Sequence, residues 1–180
     1  PQRLYNYPNL LRENINLFFN ISVTEEDSKK IDMYKEQIIR ENKKKDFIDI
    51  KDYLTSLGLN LIISKDDLTM VSRLSQMSQK TNQFNLTTKR YTESDIAQFI
   101  DQEDSKVFGF SVSDNFGDNG VTGMCIVKLD KNSKKAEIDT FLISCRIIGR
   151  NIEYAFMNYL IEEINKYKIK NIEARYIKTK

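Results

Sequence analysis

The run Cys145-Arg146-Ile147-Ile148-Gly149-Arg150-Asn151 brings a thiol, two guanidinium groups and a glycine into one short stretch. Glycine at that place permits a tight backbone path. If a helix starts at Asn151, its first free N–H groups point into the turn, with Arg146 and Arg150 beside them. Such a turn is an anion site suited to a pyrophosphate or a phosphopantetheine arm. The alternative is an ordinary strand-to-helix connection with solvated arginines. Cys145 also has two readings, a thiolate nucleophile in a positive setting or a small buried hydrophobe.

The chain contains no histidine. That excludes Ser-His-Asp and Cys-His arrangements and His-based zinc or non-haem iron sites, and it leaves carboxylates, tyrosines, lysines, thiolates or substrate groups as bases. Asp118 and Asp139 are the carboxylates best placed for a general-base or orienting role, although Asp118 also suits the simpler task of stabilising its own turn. The segment from Lys80 to Arg90 is rich in amides, hydroxyls and positive charge, and taken alone it reads as a capped loop that satisfies its own backbone. Cys125 shares a strand face with Val121, Gly123, Val127 and Leu129 and reads as core. Two cysteines without an extracellular signal are expected to be reduced thiols.

The elements that hold these residues follow from periodicity. Ile138 to Cys145 is apolar on both faces, as in a central strand, with alternation placing Asp139, Phe141, Ile143 and Cys145 on one side. Ile152, Ala155, Phe156, Tyr159, Leu160 and Ile164 then mark a helix that buries a wide stripe against a sheet. Upstream, Val107–Val112 and Val121–Leu129 are expected to form a hairpin around a moderately long Asn115–Gly120 loop, with Asp130–Lys134 turning into the third strand and Ile172–Ile177 ending the fold. Before this meander the pattern is helical. Thr24 and Asp27 begin a helix that runs to about Lys45 with Ile31, Tyr34 and Ile38 as a narrow apolar stripe. Asp49 caps a short helix ending at Gly58, and Leu59–Ser64 is a strand. Met70, Val71, Leu74 and Met77 recur at core-filling helical spacing, and Thr92 with Asp95 caps another helix. The aromatic-rich N-terminal region, including Leu17-Phe18-Phe19, reads as a join to something larger or a segment that docks on the core.

A chain of 180 residues supports one domain with a helical extension. We divide it at residue 58, with 1–58 as the extension and 59–180 as an α/β domain of layered α+β type with a mostly antiparallel central sheet. The net charge of +2 argues against a general polyanion binder, so no nucleic-acid partner is expected. The basic run Lys29–Lys45 follows Glu25, Glu26 and Asp27, an order that suits a helix dipole and a solvated face. No run approaches the apolar length of a membrane span and no secretory leader is evident, so a cytoplasmic protein is expected.

Two resemblances add to this. The strand–turn–helix resembles the acyl-CoA-binding element of the GNAT acyltransferase superfamily, in which a Q/R-x-x-G-x-G/A turn holds the pyrophosphate. Arg146 and Gly149 match its first two marked positions, and Asn151 stands where a small residue is usual. Over a longer range, Gln79–Tyr91, Phe116–Gly120, Asp139-Thr140-Phe141, Ser144-Cys145-Arg146 and Gly149-Arg150 with Glu153 resemble the C-terminal part of FkbH-like proteins. These join a HAD-type phosphatase-like domain to a GNAT-like one, and make a glyceryl thioester on an acyl carrier protein for methoxymalonyl-type polyketide extender units or tetronates.

The resemblance implies a GNAT-like acyltransferase fold that uses the phosphopantetheine arm of an acyl carrier protein, or CoA, and no metal. It implies catalytic roles for Cys145, Asp118 and Asp139, with Arg146, Gly149, Arg150 and Asn151 holding the arm. Lys80, Asn82, Gln83, Asn85, Thr87, Thr88 and Arg90 become candidates for holding the glyceryl group. The expected partners are the carrier protein and the chain's own HAD domain. The HAD aspartate motif does not occur here, so the expectation is a piece that keeps the acyl-handling domain and is truncated before the family's last elements. The alternatives are a non-catalytic carrier-docking module and a CoA-dependent N-acetyltransferase.

Overall fold

The computed structural model describes residues 7–15 and 25–178. Leu17-Phe18-Phe19, Thr24 and the side chains of Asp27 and Ile31 lie outside the described residues. The helices are α1 (Tyr7–Glu13), α2 (Glu25–Lys44), α3 (Ile50–Leu57), α4 (Val71–Lys80), α5 (Glu93–Asp101) and α6 (Ile152–Asn165). The strands are β1 (Asn60–Lys65), β2 (Ser105–Asp114), β3 (Gly117–Asp130), β4 (Lys135–Ile143) and β5 (Asn171–Ala174). They form one sheet in sequence order. All neighbours are antiparallel except β4 and β5, whose parallel pairing requires the crossover that α6 supplies.

Local signals set the ends of several elements as expected. Asp49 accepts from the Lys51 N–H at the start of α3, and Gly58 closes that helix in the left-handed conformation with φ 61°. Thr92 and Asp95 make a reciprocal capping box on α5. Asp67 caps a 3-10 turn over Leu68–Met70 that leads into α4.

The β2–β3 hairpin differs from expectation. Its loop is only Asn115-Phe116, and Asp118-Asn119-Gly120 belongs to β3. The Asp114 carboxylate closes the turn by accepting from the N–H groups of Phe116 and Gly117 at 3.0 and 3.2 Å. Two register shifts follow, and they take Asn119-Gly120 and then Thr122 into bulges, with Gly120 at φ 64°. A third bulge lies in β4. Ile126 faces Thr140 and Val127 faces Ile138, so Asp139 is the extra residue. It therefore leaves the face of Phe141 and Ile143, where simple alternation places it.

The sheet separates two cores. One face carries Phe110, Cys125, Val127, Ile138, Phe141 and Ile143 against Phe156 and Leu160 of α6. The other carries Val107, Met124, Ile126 and Leu142 against Leu74 and Met77 of α4 and Ile96 of α5. Both thiols are free, with Cys125 buried and Cys145 exposed.

Helix α2 docks by a face other than its apolar stripe. Tyr34 is 71% exposed and Ile38 59% exposed, whereas Met33 and Arg40 are buried. The attraction is electrostatic. Arg40 makes a bidentate pair with Asp114, both bonds at 2.7 Å, and bonds Glu36 of its own helix at 3.2 Å. Hydropathy alone cannot reveal a helix face chosen by a buried ion pair.

Candidate functional site

The turn after β4 is held at its start by the Ser144 N–H, which donates to the Thr122 carbonyl at 2.7 Å. Cys145–Ile147 then form a 3-10 turn with Ile147 buried, Gly149 takes φ 82°, and Asn151 caps α6 at φ 61°. A Cβ at residue 149 would meet nothing within 4 Å, so glycine is required there by its backbone angle and the turn faces open space. Asparagine is among the residues that enter the left-handed region most readily, which suits Asn151 to this backbone angle. The first N–H groups of α6 have no intrahelical acceptors and open toward the turn.

The two arginines of the turn part company. Arg146 donates through Nε to Ser144 Oγ at 3.2 Å and lies against the Met33 sulfur, on the wall of a cavity. Arg150 turns inward and is 6% exposed. Its guanidinium bonds Asp114 at 3.1 Å, Gln37 of α2 at 3.0 Å and the Arg146 carbonyl at 2.9 Å. Arg150 thus ties the turn to α2 and the β2–β3 hairpin, and Arg146 is the turn's cation on the cavity.

That cavity holds about 410 Å³ and gathers side chains from distant parts of the chain. Cys145 and Arg146 come from the turn, Lys80, Asn82 and Gln83 from the end of α4 and its loop, and Asn119 from the β3 bulge. Helix α2 contributes Tyr34 and Gln37, and α4 contributes Arg73 and Gln76. Sequence reasoning singles out none of the last four as site residues. Gln37, Arg73 and Gln76 resemble solvated faces until the helices are packed, and Tyr34 reads only as part of an apolar stripe.

The other candidates lie off the cavity wall. Asn85 is buried, accepts from the Thr88 N–H at 3.0 Å and donates to the Thr81 carbonyl at 3.4 Å. Thr87 donates to the Asp139 carbonyl at 3.0 Å, and the Thr88 hydroxyl to the Thr87 carbonyl at 2.7 Å. Arg90 closes the C-terminal end of α4 by bonding the carbonyls of Ser78 and Thr81 and the side chain of Asn82. This part of the segment satisfies its own backbone, as the simpler reading has it. It also pairs with the sheet, since Leu86 N donates to Phe141 O and Ile143 N to Phe84 O, covering the edge of β4 beyond β5. Asp118 accepts from the Gly120 N–H at 2.8 Å and stabilises the bulge.

Asp139 is enclosed on the α5 side of the sheet. Lys89 and Lys128 donate to its Oδ1 at 2.7 and 2.6 Å, and the Tyr91 hydroxyl and Thr140 meet Oδ2. Burial alone would raise its pKa, but the hydrogen bonds from Lys128, Lys89 and Tyr91 outweigh it and bring the carboxyl down to about 2. Burial and the bond to Asp139 push the Tyr91 phenol up. A depressed carboxyl stabilises the fold fully above its unfolded value and loses that contribution as pH falls through the folded one. We therefore expect the stability advantage of the wild type over Asp139→Asn, about 2 kcal/mol at neutral pH, to shrink between about pH 4 and pH 2. Urea titrations of both proteins across that range check it, and an advantage that does not change with pH would be inconsistent with this role.

Among the described residues no group of three or more Cys, Asp or Glu side chains is arranged to hold a metal. No helix among them is long and apolar enough to cross a membrane.

The mixed α/β arrangement with its five-stranded sheet is a GNAT-like acetyltransferase fold. It is similar to the ribosomal-protein-alanine N-acetyltransferase from Brucella melitensis biovar Abortus 2308, with TM-score 0.51, 11% identity and coverage of 67% of this chain and 82% of that one. An aminoglycoside acetyltransferase from an uncultured soil metagenomic sample gives TM-score 0.50 at 10% identity, covering 67% and 82%. The ribosomal-protein-S18-alanine N-acetyltransferase from Escherichia coli matches at 15% identity and TM-score 0.49, and the chain spans 66% of its length, just under two thirds. No family model and no curated protein matches the sequence.

Proposed function

We propose that this chain is the acyl-handling part of an FkbH-like protein, and that it moves a glyceryl group onto the phosphopantetheine thiol of an acyl carrier protein in polyketide extender-unit biosynthesis. The observation that carries the reading is an exposed thiol, Cys145, on the wall of a cavity and beside the Arg146–Gly149 turn. The GNAT-like fold and the family motifs support it. The carrier protein and a HAD-type phosphatase-like domain are the partners, and the cytoplasm is the compartment.

The chemistry is thiol exchange. Cys145 loses its proton to solvent, and its sulfur attacks the carbonyl carbon of a glyceryl acyl phosphate. The bond between that carbon and the bridging phosphate oxygen breaks, and phosphate leaves with the oxygen. The pantetheine thiol then attacks the thioester carbonyl, its proton passing through solvent to the departing Cys145 sulfur as the bond to that sulfur breaks and the free cysteine is regenerated. Arg146 and the first N–H groups of α6 hold the phosphate of the arm. With Arg150 committed to Asp114, one guanidinium remains at the turn's cavity side. That matches the single phosphate of a carrier-bound arm better than the pyrophosphate of CoA.

Intact-mass measurement after incubation with the glyceryl acyl phosphate tests this. We expect a glyceryl adduct on the wild type and complete loss of it in Cys145→Ala. An adduct that persists in the variant rules out Cys145 as the acceptor. The second reading, CoA-dependent N-acetylation, is favoured by the names of the similar structures. Acetyl-CoA binding by calorimetry, with acetyl transfer to an amine that survives Cys145→Ala, would establish it instead.

A further inference from the structure

Asn119 is 3% exposed and lines the cavity that also holds Cys145, and its Nδ2 has no hydrogen-bond partner. A buried amide donor left unmatched costs free energy, so its place on a cavity wall points to an acceptor that arrives from outside the chain. The backbone beneath it is fixed. Asn119 and Gly120 together oppose Val112 in a bulge, and the Gly120 N–H, at a residue with φ 64°, donates to Asp118 Oδ1 at 2.8 Å. The same stretch of β3 runs up to the thiol. The ladder pairs Gly123 with Ile143, and the next residues are joined by the Ser144 N–H on the Thr122 carbonyl at 2.7 Å. Cys145 follows Ser144 and Asn119 lies three residues before Thr122, so the two side chains meet on one wall.

We propose that Asn119 is a catalytic residue for acyl transfer, its Nδ2–H donating to the oxyanion that forms when a sulfur attacks an acyl carbonyl at Cys145. The inference rests on the acyl-transfer reading for its reaction, and it holds whichever acyl group is carried. In the first step the Cys145 sulfur bonds to the carbonyl carbon, and the carbonyl π pair moves onto oxygen. The charge on that oxygen is new, and a donor already aimed at it needs no reorganisation. The pair then returns as the leaving group departs with its own bonding pair. Attack by the pantetheine thiol on the Cys145 thioester builds an oxyanion on the same carbonyl and uses the same donor. An asparagine amide is a neutral donor throughout the pH range near neutrality, and the chain has no histidine for the task.

Two reagents of different mechanism separate oxyanion stabilisation from access to the thiol. 4-Nitrophenyl acetate acylates a thiolate through a tetrahedral oxyanion and releases nitrophenolate, whereas iodoacetamide alkylates it by direct displacement of iodide and forms no oxyanion. Both rates are measured on the full chain, by the mass of the tryptic peptide 136–146, in which Cys145 is the sole cysteine. We expect Asn119→Ala to slow acylation about tenfold or more while alkylation stays within about twofold of the wild type. Asn119→Asp keeps the side chain's shape but, when ionised, offers only acceptors, and its ratio of acylation to alkylation is expected to fall by a similar factor. Its added charge disfavours the thiolate and slows both reactions, an effect that the ratio removes. A wild-type ratio in either variant, including one in which both rates fall together, overturns the inference. Neither reagent carries a glyceryl group. An absent glyceryl adduct on the wild type with the ratio still falling in the variants would therefore sink the glyceryl-transfer reading alone, and a glyceryl adduct with an unchanged ratio would sink this inference alone.

Discussion

Replacing Asp114 with alanine is expected to lower the free energy of unfolding by about 3–5 kcal/mol, the usual cost of leaving a buried charge without its partner. Asp114 has a fully buried side chain, as has Arg40 at 1% exposure, and Arg150 is 6% exposed. Burial opposes its charge, but hydrogen bonds from Arg40 and the Phe116 N–H hold the carboxyl below its ordinary range. Three separate parts of the molecule meet on this one group, namely α2 through Arg40, the hairpin through Phe116 and Gly117, and the α6 turn through Arg150. Alanine would leave two guanidinium groups buried without their shared carboxylate. Urea unfolding of the two proteins measures the effect, and a loss below about 1 kcal/mol would show that α2 is held by other contacts.

Phe156→Ala is the second large effect, with an expected loss of about 3–5 kcal/mol for a fully buried ring. Phe156 is 0% exposed, and its ring centroid lies 4.5 Å from that of Phe110 and 5.5 Å from that of Phe141. It is the contact by which α6 grips the sheet just behind the glycine turn, so the cavity left by alanine loosens the element that aims the turn. Tyr154, two residues away on the same helix, is 66% exposed. Tyr154→Ala is expected to stay within about 0.5 kcal/mol of the wild type. Thermal or urea unfolding of the pair distinguishes them, and similar losses at both positions would mean that helix propensity and not packing is being measured.

Much of the scaffold is legible in the amino-acid sequence. The three-strand meander, the stripe of α6, the caps at Asp49 and Thr92, and Leu74 and Met77 as core all follow from periods of 2 and 3.6 and from short-range hydrogen bonds. The departures share a cause as well. The β2–β3 loop is shorter than its composition suggests, because glycine and asparagine serve bulges as readily as loops. Asp139 lies on the face opposite to the one that alternation gives it, because one inserted residue reverses the alternation of a strand. The stripe of Tyr34 and Ile38 on α2 is real, but a buried ion pair between residues 74 positions apart chose the opposite face.

The stretch from Cys145 to Asn151 shows where the division falls. Sequence by itself determined that a strand, a glycine turn and a helix follow one another there, and that a thiol and two arginines flank the turn, because these depend on backbone preferences over a few residues. Only the tertiary structure decided that Arg146 faces a cavity while Arg150 is spent on Asp114. It alone brought Arg73, Lys80 and Asn119 to the same wall, and turned Asp139 into a buried clamp. The physical reason is that a side chain's role depends on which charges and voids surround it, and those are supplied by segments far away in the chain whose approach is set by packing.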